Sequence, residues 1–482
     1  MLNKFTYTFS LKILSMIIGF FISVIIIKKL PVEEYGIFSL LNSIIMISVM
    51  VFTFNIQELL FIKLSKVKSK LILSQIISTT NTAIFVIYTF FIIVVLFTPM
   101  NTFLLHIFNL EDYSKAFNFT VYYIFIYSLI LTFMRYFMFT SQSVKYSVSE
   151  LIIATLWIVP FLFYGSINVF DIMKYKFFTV FLIILGMFYI FYKQNESIGI
   201  FKNFNISYLK EAFVFGMATF LPSICIYVLT VINVFLLSYL DTNESVALFS
   251  FANLPFTILN GILSSTLILI LLPKINHYHK DRNSRKYVLM SKIFKLVLVL
   301  LIPISLYIIV FSSEIILLLS KKEYLVVSDL FWYLSLVLIL TTLVAFLKQE
   351  LYLEKRYKEL IIVFLPAVFI NIVLNFYLIP EYSYKGAAIA LLATYIYILF
   401  SLIIITKIYK YLYIKLKDII LIILSNIIVA LVLAMIIFTK DIFILDDSIF
   451  QNILLLVSSA IILFLPYLYY FNKRNLFNGV LK

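Results

Sequence analysis

The residues able to do chemistry in this chain are few, and the most informative are basic. Lys12, Arg135 and Lys295 stand within long apolar runs. A charge in hydrocarbon is costly and marks a functional position by default. Cations in a water-filled cavity suit a compact anion, and arginine adds a planar fork that can hold two of its oxygens. The other reading is also open: each lies within about two turns of the end of its run, close enough for a long stem to snorkel to the interface. Arg135 is set among Phe133, Tyr136, Phe137 and Phe139, in a chain whose usual cation is lysine.

Neutral polar groups sit deeper in the runs, at Asn233, Asn260, Asn371, Asn375 and Asn426. Asn371 and Asn375 are four apart on one helical face, where they either bond a neighbouring helix or line a cavity. Other chemistries lack their parts. Cys225 is the single cysteine, so no intramolecular disulfide can form. His277 and His279 lie beside Lys280 and Arg282 without an evident third metal ligand, which reads as a solvated basic loop. Asp446-Asp447 is the one adjacent aspartate pair and has no partner base. No carboxylate is expected near the middle of a span, which weighs against an ion-coupled drug antiporter. No cofactor or metal is expected.

The elements that must position these residues follow from composition. The 482 residues are 63% hydrophobic and 13% charged, with mean hydropathy +1.09. So much apolar side chain cannot be packed inside one water-soluble globule. The apolar runs are continuous and close to the length a helix needs to cross a bilayer, not the alternating pattern of a β-barrel. An all-α integral membrane protein of about fourteen spans is expected. The spans fall at 10–27, 38–58, 75–97, 119–139, 151–170, 177–192, 213–240, 246–272, 293–311, 325–347, 360–378, 387–406, 419–438 and 449–471. No small-residue cleavage site follows the run from Ser10 to Ile27, so the first span is read as retained.

Of the 38 Lys and Arg residues, 28 fall in alternate segments that include both termini, and nine fall in the opposite turns, Lys174 and Lys176 among them. The basic side is expected to be cytoplasmic, with both termini on it. The formal charge of +15 therefore belongs to membrane topology. A nucleic-acid partner is not expected, because no loop is long enough to hold a binding domain. The longest opposite-side connection, Thr98 to Asn118, is likewise expected to hold no folded domain.

The turn Leu30-Pro31-Val32-Glu33-Glu34-Tyr35-Gly36-Ile37-Phe38-Ser39 has a counterpart in Leu240-Asp241-Thr242-Asn243-Glu244-Ser245-Val246-Ala247-Leu248-Phe249-Ser250. Both run from leucine through an acidic turn to Phe-Ser. Six spans separate them, so the halves share one orientation, an arrangement that places a substrate cavity at the repeat interface. The expected organisation is an N-terminal lobe at 1–206, a C-terminal lobe at 207–411 and two added spans with a tail at 412–482. Pro31 and Gly36 are read as bracketing a tight turn, and Gly386-Ala387-Ala388 with Ala390 as allowing close helix approach.

At this point the sequence resembles the polysaccharide-biosynthesis or O-antigen flippases of the multidrug/oligosaccharidyl-lipid/polysaccharide exporter superfamily. The resemblance rests on Lys28-Lys29-Leu30-Pro31 through Tyr35-Gly36-Ile37-Phe38, and on Tyr208-Leu209-Lys210 through Phe215-Gly216 to Leu221-Pro222. Two further matches are Leu272-Pro273-Lys274, and Asn375-Phe376-Tyr377-Leu378-Ile379-Pro380-Glu381-Tyr382 followed by Lys385-Gly386-Ala387-Ala388-Ile389-Ala390. The segment Asp241 to Leu248 departs from the family in lacking its glycines and tyrosine.

The resemblance implies two six-helix lobes in a V around a central cavity. It also implies an activity that moves undecaprenyl-pyrophosphate-linked sugar units, of O-antigen or capsule type, from the cytoplasmic to the outer leaflet of a bacterial inner membrane. Lys12, Arg135, Lys295, Asn233, Asn371 and Asn375 are the cavity candidates. The expected partners are the lipid-linked oligosaccharide and membrane lipids, with a polysaccharide polymerase and glycosyltransferases beside them. A multidrug or lipid II exporter of the same superfamily is the alternative. An enzyme, such as a membrane polymerase or ligase, is disfavoured because no extended loop or acidic catalytic motif is present.

Overall fold

In hydrocarbon every backbone polar group must be paired within the protein, and a helix does this with no help from neighbours. The computed structural model describes residues 2–54, 56, 70–139, 143–162, 167–194, 203–280, 285–408, 416–443, 455–460, 463 and 467, and these contain helices and no strand. In chain order the helices are α1 (Leu2–Lys29), α2 (Val32–Thr53), α3 (Lys70–Phe97), the short α4 (Met100–Ile107), α5 (Ser114–Phe139) and α6 (Ser143–Thr155). After α6 the chain tightens into a 3-10 segment, Leu156–Leu162, and continues into α7 (Val169–Gln194), α8 (Ile206–Leu240) and α9 (Asn243–Lys280). The remainder are α10 (Arg285–Val310), α11 (Ser312–Leu319), α12 (Leu330–Leu353), α13 (Tyr357–Thr406) and α14 (Leu416–Phe443).

Eight helices among the described residues are long and apolar enough to cross a bilayer, and the pair Phe294–Val310 and Ser312–Leu319, bent by 75°, meets the same standard jointly. The protein is an all-α integral membrane protein. Most of the expected span 449–471 lies outside the described residues, as does Asp446-Asp447.

Four expectations shift. The expected span 151–170 begins earlier, as α6 plus the 3-10 segment, and α7 starts at Val169 rather than near 177. The cause is Asn168, whose Oδ1 accepts the Asp171 amide at 2.8 Å and starts the next helix. The expected spans 360–378 and 387–406 form one 50-residue element, broken only at Ser383 with φ 52° and ψ −135°. The connection 98–118 carries α4 and a 3-10 turn at Glu111–Tyr113. Finally, α9 runs on to Lys280, which places His277 and His279 in a helix and not in a loop.

The chain divides into two compact units, Met1–Ala247 and Leu248–Lys482. In the first, α5 packs against α2, α3, α6 and α7, while α8 packs against α2 and α3. Its core is built from Ile76, Ile84, Tyr88, Ile124, Phe133 and Phe137, all buried. In the second, α12 packs against α13 and α10, and α10 against α14. Phe251 lies over Tyr324 and Phe256 over Phe331 in its interior.

Gly36 corrects the turn reading. It lies in the first turns of α2, not in a loop, and a Cβ there would come 1.8 Å from the Asn243 carbonyl oxygen. The glycine serves close approach. Gly386 does the same across the Ser383 break, where a Cβ would meet the Leu378 carbonyl oxygen at 2.2 Å.

Candidate functional site

The first unit carries three polar features inside its spans. The earlier start of α6 places Glu150 near the middle of the span Val144–Phe161, so the expectation of no mid-span carboxylate is overturned. Arg135, half-buried on α5, and Glu150 both act electrostatically on Tyr127 and Tyr146. The guanidinium, the carboxylate and two phenols thus form one polar group within an otherwise apolar bundle. Tyr127 also stacks on Tyr123, with ring centroids 5.4 Å apart.

The second feature is Lys176, expected in an exterior turn. Two turns into α7, its Nζ donates to Asn42 Oδ1 of α2 at 2.6 Å. It also lies over Phe38 at 5.2 Å, Trp157 at 5.3 Å and Tyr123 at 5.6 Å from the ring centroids. Asn42 is oriented for this contact, because its Nδ2 donates to the Phe38 carbonyl at 2.8 Å. Near the same end of the bundle, Lys29 Nζ donates to the Phe161 carbonyl at 2.9 Å, at the end of the 3-10 segment that contains Pro160.

The third feature is the polar run Ser78-Thr79-Thr80-Asn81 of α3, every member 0–1% exposed. Ser78 and Thr79 accept the backbone amides of Asn203 and Asn205, which ties the approach to α8 against α3. Asn81 has neither side-chain polar atom hydrogen-bonded among the described residues. A buried amide left so costs about 1–3 kcal/mol, which makes it a candidate for contact with water or cargo. The polar run was a visible signal in the sequence. A groove of about 640 Å³ opens between α3 and α8, lined by Ile56, Ala83, Val86, Phe213 and Val214 with Lys210 as its charged member.

The remaining expected residues are spread over both units. Lys12 is on α1, with its side chain outside the described residues. Asn233 is buried on α8. In the second unit Lys295 is half-buried on α10. Asn371 and Asn375 are fully buried on the first half of α13 and bonded to each other, Asn375 Nδ2 donating to Asn371 Oδ1 at 2.9 Å and to its carbonyl at 2.8 Å. Asn371 Nδ2 donates to Thr394 Oγ1 across the break at 3.1 Å. Asn260 accepts from Thr342 at 3.3 Å, and Asn426 donates to the Ile422 carbonyl at 2.7 Å. The amides of Asn371, Asn260 and Asn426 thus bond helix to helix or back onto their own turn.

Apolar spans packed around a few buried charges are the makings of a membrane transporter. The chain belongs to the polysaccharide biosynthesis protein family, whose profile matches residues 1–279. No curated protein matches the sequence. Its fold is similar to that of the lipid II flippase MurJ in an inward closed conformation, with TM-score 0.72 at 18% identity, covering 98% of this chain and 99% of that one. An inward-facing multidrug resistance MATE family transporter of the MOP superfamily matches with TM-score 0.62 at 13% identity, covering 84% and 95%. An outward-facing one matches with TM-score 0.56 at 12% identity, covering 85% and 96%. The fold is that of these transporters.

Proposed function

We propose that this protein flips undecaprenyl-pyrophosphate-linked oligosaccharide units, of O-antigen or capsule type, from the cytoplasmic to the outer leaflet of a bacterial inner membrane by alternating access. The observation that carries the reading is Arg135, half-buried within the family-matched segment, with Glu150, Tyr127 and Tyr146 in the same electrostatic neighbourhood. The guanidinium holds the pyrophosphate, because a fork of N–H donors binds phosphate oxygens bidentately. Lys12 and Lys295 supply further positive charge, and Asn233 a neutral contact. Asn371 and Asn375 brace the helix pair on which the second lobe turns. The hydrocarbon-lined groove beside Lys210 suits the polyprenyl tail.

On this reading residues 1–206 and 207–411 are repeat-related lobes, 412–482 completes fourteen spans, and both termini face the cytoplasm. Glycosyltransferases supply the lipid-linked unit and a polysaccharide polymerase consumes it. A second reading, export of lipid II, is favoured by the similarity to the lipid II flippase over 98% of the chain. Reconstitution into liposomes decides between them. A fluorescent lipid-linked oligosaccharide should become accessible to an external quencher faster than lipid II does. Equal or preferential movement of lipid II would replace the first reading with the second, and movement of neither would remove both.

A further inference from the structure

Lys176 is held in a way that the transport reading does not use. An ammonium inside a membrane protein ordinarily sits against a carboxylate or in water. This one has a neutral amide oxygen and three aromatic faces, and among the described residues no carboxylate within salt-bridge distance. Aromatic faces attract cations through the ring quadrupole, most strongly where water is excluded. They give nothing comparable to a neutral amine. The cage therefore distinguishes the two protonation states of Lys176, and it holds the charged one more tightly.

Four elements meet at the cage. Phe38 and Asn42 come from α2, Tyr123 from α5, Trp157 from the 3-10 segment, and the lysine from α7. At about 1.5 Å per residue, Asn42 lies roughly 15 Å along α2 from its first residue, well inside a bilayer-spanning helix. The 3-10 segment contains Pro160, which removes a backbone donor, and 3-10 hydrogen bonds are poorer in geometry than those of an α-helix. Trp157 thus stands on an element with weaker internal hydrogen bonding than the α-helices packed around it. Among the described residues Tyr123 is the one titratable group in contact with the ammonium. Beyond it the packed elements carry Tyr127 on α5, Tyr146 and Glu150 on α6, and Glu34 and Tyr35 at the start of α2.

We propose that Lys176 is a proton-binding site that sets the conformation of the first unit: protonated, it clamps Trp157, Tyr123 and Phe38 together, and on giving up its proton it releases the 3-10 segment. Linked to the transport proposed above, on which only this consequence rests, it is where a proton is taken up and given back in each cycle. The ligand is the proton itself.

The test needs no cargo. Trp157 and Trp332 are the protein's two tryptophans, so in a Trp332→Phe background the fluorescence of the purified, lipid-reconstituted protein reports the cage alone. Emission should follow a single-proton transition as pH is raised, and the transition should survive Tyr123→Phe and Glu150→Gln. Lys176→Met should abolish it and fix the alkaline spectrum. Lys176→Arg, which keeps a charge that does not titrate in this range, should abolish it and fix the acid spectrum. Emission that ignores pH overturns the proposal, as does a transition retained in either lysine variant. If Lys176→Met fails to fold, the arginine variant still decides. These readouts stand even if no lipid-linked saccharide is moved, so failure of the proton site and failure of the transport reading are separately visible.

Discussion

The α-carbon of Gly36 faces the main chain of Asn243 so closely that a Cβ would come 1.8 Å from the carbonyl oxygen and 3.2 Å from the Ala247 nitrogen. These residues belong to the two acidic turns that match in sequence, so the two helix starts lie directly against each other. The contact is fastened from the side. Asn243 Nδ2 donates to the Asn109 carbonyl at 3.3 Å, and Asn109 Nδ2 to the Ser238 carbonyl at 3.1 Å. Because the obstacle is backbone, no rotamer change relieves it.

Gly36→Ala should therefore destabilise the protein by about 1–3 kcal/mol through overpacking. Gly186→Ala, where nothing lies within 4 Å, should be neutral or stabilising by up to about 1 kcal/mol, since it replaces glycine inside a helix. Thermal unfolding of both variants in detergent compares them directly. Equal melting temperatures would show that α2 and α9 are not so closely apposed.

Arg135→Ala should reduce export of surface polysaccharide by about tenfold or more, the loss expected when roughly 1.4 kcal/mol of cargo binding is removed, while membrane insertion stays intact. Arg135→Lys should restore part of it, because the charge returns without the fork. Adding Glu150→Gln to Arg135→Ala should cost little more than Arg135→Ala alone, since coupled groups are not additive. Complementation of a deletion strain reads all of these, and full activity in Arg135→Ala removes the residue from the site.

Asn371→Ala should lower stability by about 1–3 kcal/mol, because it strips partners from Asn375 and Thr394, both 0% exposed. The double variant with Thr394→Val should be less damaging than the sum of the two single variants. Additive losses would mean that the 3.1 Å hydrogen bond across the Ser383 break is not made.

Lys385 Nζ donates to Asp329 Oδ2 at 2.9 Å, and the hydrogen bond raises the ammonium above the usual lysine value. A base raised in the folded state stabilises fully below its unfolded value, about 10.4, and loses that contribution as pH climbs through the folded one. Both side chains are exposed, so the contribution is below about 1 kcal/mol and is screened by salt. Lys385→Ala should change the melting temperature slightly at neutral pH and low salt, and not at all in high salt.

Membrane class and all-helical content were legible because an apolar run near twenty residues has few physical fates. What hydropathy does not encode is where within a polar–apolar boundary a helix starts. Asn168 carried that signal as a cap in a run read as continuous span. Its neglect displaced α6 and α7 together, which left Glu150 just outside a span and Lys176 in a turn. Asn81 was passed over although four consecutive Ser, Thr and Asn residues announced a buried polar stripe. Asn371 and Asn375 were legible as a face, but which partner that face meets depends on a kink at Ser383, and serine gives no local warning of a left-handed φ.

The bond from Lys29 to the Phe161 carbonyl bears on how charges vote for topology. A helix end presents partial negative charge through its unpaired carbonyls, and Lys29 is committed to such an end. Its electrostatic weight is largely spent within the fold, so tallying it with solvated loop lysines overstates the basic character of that face. Neutralising Lys29 should leave the protein threaded as before, whereas neutralising an equal number of uncommitted lysines on the opposite face should weaken the insertion bias.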